Sequence, residues 1–64
     1  MRDPARLDNF YDRLKEIHKE NFPDWRFSQF MMNFLSWYGS DPFYLEETRF
    51  LERIEDYVNT LKGD

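Results

Sequence analysis

The sequence predicts a compact three-helix domain of the all-α class. Apolar residues recur at steps of three and four along three stretches, which is the spacing of one face of an α-helix. Pro23 and Gly39 separate the stretches, and aromatic residues make up 20% of the chain, enough large side chains to build a small core. A chain of 64 residues is too short for two domains, so we expect residues 1–64 to form a single helical domain.

Helix 1 is predicted over about residues 4–20. Asp3 suits the N-cap position and Pro4 the first helical position, where its missing N–H is no loss. Pro23 ends the helix, because the residue before a proline is pushed out of the helical conformation. The apolar stripe spans an arc of about 120° and consists of Leu7, Phe10, Tyr11, Leu14, Ile17 and His18. We interpret His18 as a residue at the core edge with one bonded ring nitrogen, in preference to a metal ligand or a catalytic base.

Helix 2 is predicted over about residues 25–38, with Asp24 as its cap and Gly39 as a left-handed stop. Its apolar arc is about 220° wide, because Met32 and Leu35 lie beside the main stripe. Two explanations compete, and both can hold together. Either helix 2 is central and contacts both other helices, which we favour, or Met32 and Leu35 meet a second copy or a partner.

Trp25 lies outside this arc. We expect it to pack against Phe22 or Tyr11 at the corner between helices 1 and 2. The alternative is an exposed anchor for a partner, since tryptophan is enriched at binding hot spots, and Trp25 therefore joins Met32 and Leu35 as a candidate for self-association.

Helix 3 is predicted over about residues 46–61. The connection before it, residues 40–45, is rich in apolar side chains, among them Phe43 and Tyr44. Such a loop is expected to pack back on the core and not to extend into solvent.

A line of polar side chains borders the stripe of helix 2. Arg26, Gln29 and Asn33 are spaced i, i+3, i+7 and therefore share one edge. We expect the two amides to hydrogen-bond the backbone of the 40–45 loop and Arg26 to pair with Asp41, Glu46 or Glu47. The alternative is that the edge lines a groove for a peptide or a small polar ligand. The candidate surface consists of Arg26, Gln29, Asn33, Trp37, Asp41, Phe43 and Tyr44.

The sequence contains no signature of nucleic-acid binding, membrane binding or catalysis. The net charge of −4 disfavours binding to phosphate backbones and to anionic membranes, and no apolar run is long enough to span a bilayer. With no cysteine, no Gly-rich phosphate loop and a single histidine, we predict no catalytic residue, no cofactor and no metal site. The N-terminus shows no signal-peptide pattern, so we expect a cytoplasmic protein.

The middle of the chain resembles a group of small bacterial and phage-borne proteins of unknown function. The resemblance covers roughly residues 22–47 and lies in a Pro-Asp-x-Arg-x-x-Gln stretch (23–29), an asparagine (Asn33) and an Asp-x-Phe-Tyr-x-Glu stretch (41–46). Trp25 and Phe27 stand where such sequences are often aliphatic. The resemblance implies a bacterial or phage origin and a shared structural unit, but no activity.

These observations predict a non-enzymatic protein–protein interaction or regulatory module that self-associates through helix 2. Two alternatives remain. One is an acidic inhibitor that occupies a basic site on a host protein, using the face of Glu52, Glu55 and Asp56. The other is a small-ligand-binding protein using the edge of Arg26 and its neighbours.

Overall fold

The computed structural model describes residues 2–63 and confirms the all-α, three-helix prediction. The helices are α1 (Arg6–Asn21), α2 (Phe27–Tyr38) and α3 (Glu47–Leu61), and no strand occurs within the described range. Each predicted end lies within two residues of the observed one. Met1 and Asp64, the ends of the predicted domain, lie outside the described residues.

Local hydrogen bonds explain where the helices begin and end. The Asp3 carboxylate accepts the backbone N–H of Ala5 at 3.0 Å, but the N-cap of α1 is Ala5 and not Asp3 as predicted. The predicted Asp24 cap of α2 is wrong, since the helix begins later, at Phe27, with Arg26 as its N-cap. Gly39 ends α2 as predicted, with φ of 74° and its N–H donated to the Leu35 carbonyl at 3.1 Å. A left-handed glycine is the usual helix stop because it lacks a Cβ.

The core lies where the apolar stripes of the three helices meet. Phe34 of α2 packs edge-to-face on two rings of α3, with centroids 5.2 Å from Phe50 and 5.8 Å from Tyr57. Edge-to-face packing is a favoured arrangement of aromatic pairs. The buried residues are Leu14, Ile17, Phe30, Phe34, Ile54, Tyr57 and Val58.

The central helix is α3, so the prediction that helix 2 is central is wrong. α3 packs against both α1 and α2, whereas α1 and α2 have little contact with each other. Arg6 pairs with Glu47, and Arg13 with Glu55, each at 2.8 Å, so α1 and α3 run parallel and in register. The width of an apolar arc measures how much of a helix is apolar, and it does not reveal which neighbours cover it.

The predicted packing of the 40–45 loop on the core is also wrong at its aromatic residues. Phe43 is 77% exposed and Tyr44 is 88% exposed. The Asp41 carboxylate accepts the Phe43 N–H at 3.0 Å, and the Leu45 N–H donates to the Pro42 carbonyl at 2.9 Å. The turn satisfies two of its own peptide N–H groups in this way, without a partner on α2, and both rings point outward.

The described helices include none with the length and apolar character that crossing a membrane requires.

Candidate interaction surface

The polar edge of α2 and the aromatic loop do not form one surface. Among residues 2–63, no hydrogen bond or ion pair joins Arg26, Gln29 or Asn33 to the loop. The expected acidic partners of Arg26 are used elsewhere, because Glu46 pairs with an arginine that precedes α1 and Glu47 with one in its first turn. Two expectations are therefore wrong, that the amides hold the loop and that Arg26 pairs with Asp41, Glu46 or Glu47.

The Gln29 side chain forms its hydrogen bond at the start of its own helix. Its side-chain oxygen accepts the backbone N–H of Arg26 at 2.8 Å. This is the backward half of a capping box, in which the third helical residue satisfies the N–H of the capping residue. The Arg26 side chain has no acceptor group to complete the forward half. Asn33, one turn further along, is exposed.

Trp37 belongs to the rim of the core and not to the polar edge. Its ring lies 6.2 Å from that of Phe34 and 5.5 Å from that of Tyr57, while 40% of the residue stays exposed. Of the predicted candidate surface, the structure therefore leaves two separate groups. One is the exposed polar side of α2, and the other is the loop, where the Phe43 and Tyr44 rings pack edge-to-face at 4.7 Å.

The corner between α1 and α2 is built as predicted. The Trp25 ring stacks on Phe22 at 4.4 Å, with 8° between their planes. His18 Nε2 lies 2.8 Å from the Trp25 carbonyl oxygen, which can only accept, so the imidazole donates. The His18 ring also packs 5.0 Å from Phe30. This confirms His18 as a residue at the core edge with one bonded ring nitrogen.

The three predicted self-association residues differ in exposure. Met32 is 71% exposed, whereas Leu35 and Trp25 are half-buried against the core. Of the two flanking residues that widen the apolar arc of α2, only Met32 is left without cover in this chain.

The surroundings of Met32 are free of charge. α2 has 12 residues and none of them is Asp, Glu, Lys or Arg. The residues of α2 that are exposed around Met32 define what we call the outward face, and they are Ser28, Gln29, Met32, Asn33 and Ser36. With Trp25 at one end, four of these residues line a shallow open depression.

Two other grooves run between α1 and α3. One is lined mainly by charged and amide side chains, including Arg53, which pairs with Asp56 at 3.0 Å. The other lies near the start of α3, with Phe10 and Leu51 as its apolar lining and Arg6 and Glu47 at its rim. Within residues 2–63, no group of three metal-ligating side chains is placed to hold a cation.

Within residues 2–63, the pKa values of two side chains are shifted, and both side chains lie outside the outward face. Hydrogen bonding to Glu55 holds the pKa of Arg13 above its ordinary value, and the carboxylates of Glu16 and Glu20 act in the same direction. Burial raises the pKa of Tyr57, because the charged phenolate is disfavoured in the core. Neither shift creates an acid or base that would act near neutral pH.

Sequence reasoning missed Ser28 and Ser36 as members of the surface. A signal was available, since both serines lie four residues from Met32 and the whole helix lacks charge, in a chain of which 34% is charged. Spacing of four residues places all three on one line along a helix.

Comparison of the chain with protein-family models, with curated proteins and with solved structures found no match. The resemblance to small bacterial and phage-borne proteins therefore stays a prediction.

Proposed function

We propose that this protein is a non-enzymatic protein–protein interaction module, which docks through the outward face of α2 and works in the cytoplasm. The observation that carries the proposal is the exposed Met32 at the middle of a helix face without charge.

The absence of charge from the outward face, with a methionine at its middle, is typical of the centre of an interface and not of an ordinary solvated helix. Solvated faces are usually rich in charged residues, as the outer sides of α1 and α3 are. The centre of a protein–protein interface is instead depleted in charge and enriched in methionine and aromatic residues. Burying Met32, Ser28 and Ser36 against a partner would remove no ionic group from water.

An acidic inhibitor is less well supported. Glu52, Glu55 and Asp56 each form an ion pair with an arginine of this chain, at 3.3, 2.8 and 3.0 Å. A basic partner would have to compete with these arginines for each carboxylate. A ligand-binding edge is also less well supported, because the Gln29 oxygen is already engaged at the helix N-terminus.

The proposal can be tested by photo-cross-linking in cells that produce the full chain. A benzophenone side chain is placed at Met32 in one variant and at Lys15, an exposed position of α1, in a control variant. We expect protein adducts from position 32 and none above background from position 15. Equal yields from the two positions, or no adduct from position 32, would contradict the proposal.

A further inference from the structure

On the outward face, a serine lies on each side of Met32. Ser28 and Ser36 lie four residues before and after it, and both are exposed. Read from Met32 toward either end, the outward face therefore offers a serine one turn away.

We propose that a second copy of this chain covers the outward face, with the two α2 helices antiparallel about a two-fold axis that passes beside Met32. This inference rests on the proposed function and names its partner. In such a pair, the residue n positions before Met32 faces the residue n positions after it in the other copy. Ser28 then faces Ser36 of the second copy, and Met32 meets its own equivalent.

The chemistry of the outward face suits a copy of itself. An isologous contact requires a patch that complements itself. Serine hydroxyls both donate and accept hydrogen bonds, so Ser28 of one copy can pair with Ser36 of the other. The small serines let the helix backbones approach, and the flexible Met32 side chain can fill the space between them.

Charge favours a second copy over an oppositely charged partner. The chain carries a net charge of −4, so two copies repel each other wherever charged faces meet. The outward face is the part of the helix surface where they can approach without placing like charges together. A basic partner would find no carboxylate on this face to pair with.

The helix dipoles favour the antiparallel direction. A parallel pair would bring equal helix ends together, and the partial positive charges at the two N-termini would repel. The antiparallel pair places each N-terminus beside a C-terminus.

The area buried in this contact is small, and this limits the affinity of the dimer. A helix of 12 residues is about 18 Å long. Such a helix buries less than the ~800 Å² per partner of a stable complex. We therefore expect a reversible dimer that forms at high micromolar concentration and dissociates on dilution.

The absence of cysteine from the chain allows a direct test of the geometry. The variants Ser28→Cys and Ser36→Cys keep Met32, and the second is labelled with ¹⁵N so that its mass identifies it. Each is oxidised alone and in an equal mixture, and disulfide-linked dimers are counted by mass spectrometry. Leu61→Cys, an exposed position at the end of α3, gives the background from random collisions.

We expect the mixture to yield Ser28→Cys linked to Ser36→Cys severalfold above the background, and each variant alone to stay at the background. In the antiparallel pair two Ser28 positions are about 12 Å apart along the helix axis, beyond the reach of a disulfide. Self-linking of Ser28→Cys above the background would show a parallel pair and overturn the proposal, as would no link above background in any sample.

The two proposals fail differently. If position 32 captures another protein while the cysteine variants stay at the background, the interaction module stands and the second copy falls. If position 32 captures nothing, the proposed function itself falls.

Discussion

The carboxamide of Gln29 stabilises the start of α2 from within the helix. Its oxygen accepts the Arg26 N–H, one of the donors that a helix N-terminus leaves without an intrahelical partner. We expect Gln29→Ala to lower the free energy of unfolding by about 0.5–2 kcal/mol, the usual cost of losing a cap. Urea unfolding followed by circular dichroism measures the change.

Asn33 provides the matched control for this prediction. It is an amide on the same edge of the same helix, it is exposed, and Asn33→Ala should alter stability by no more than about 0.5 kcal/mol. An equal loss in both variants would mean that the edge acts as one unit and that the cap is not the cause.

Tyr57 makes the stability of the fold sensitive to alkaline pH. Burial raises the pKa of its hydroxyl above the ordinary value of 10.0, so the folded chain holds this proton more tightly than the unfolded chain does. The resulting stabilisation is complete below the pKa of the unfolded tyrosine and is lost as the pH rises through the pKa of the folded state. The free energy of unfolding should therefore fall between pH 8 and about pH 11.

Tyr57→Phe isolates this effect, because it keeps the buried ring and removes the ionising group. Denaturant unfolding at the two pH values should show a smaller loss in the variant than in the parent chain. The same loss in both would assign the alkaline sensitivity to other groups.

At the scale of the elements, Phe34 joins α2 to α3 while Phe43 lies on an exposed turn. Phe34 is fully buried, and Phe43 is 77% exposed. Phe34→Ala should cost about 3–5 kcal/mol, which is comparable with the whole stability of a domain of this size. Phe43→Ala makes the same chemical change and should leave the unfolding midpoint nearly unaltered.

Chemical denaturation compares the two variants, and Phe34→Leu serves where Phe34→Ala does not fold. A loss of stability in Phe43→Ala similar to that in the core variants would contradict the exposed position of the loop.

The sequence was a good guide to the helices and a poor one to their arrangement. Helical spacing, Pro23 and Gly39 located all three helices, because these signals act locally. The central position of α3 depends on which stripes face each other, and a single stripe does not contain that information. The exposure of the loop was missed because it depends on a local hydrogen bond. The Asp41 carboxylate satisfies a backbone donor of the turn, so the apolar side chains there need not pack on the core.

The candidate surface was predicted in part, for a similar reason. Met32 was found through the width of the apolar arc, which is a property of one helix. The capping bond of Gln29 depends on where α2 begins, and the predicted start was two residues early. The serines on either side of Met32 gain significance only when the helix is considered beside a copy of itself.

For the molecule as a whole, the ion pairs lie away from the proposed contact. The ion pairs of the described residues involve α1, α3 and the segments before them, and none involves a residue of α2. With a net charge of −4, two copies repel each other at long range while their α2 faces remain neutral. Association should therefore be opposed by electrostatics and driven by the contact itself.

Salt distinguishes this dimer from an acidic surface that captures a basic partner. Raising the ionic strength shortens the distance over which charges act, from about 30 Å at 0.01 M to about 10 Å at 0.1 M. Sedimentation equilibrium of the full chain should show a larger dimer fraction at the higher salt concentration, since the repulsion is screened. Met32→Glu places equal charges beside the two-fold axis and should stay monomeric at both concentrations, while Leu61→Glu, which adds the same charge at another exposed apolar position, should still dimerise. A dimer fraction that falls as salt is added would mean that opposite charges hold the copies together and that the neutral face of α2 is not the contact.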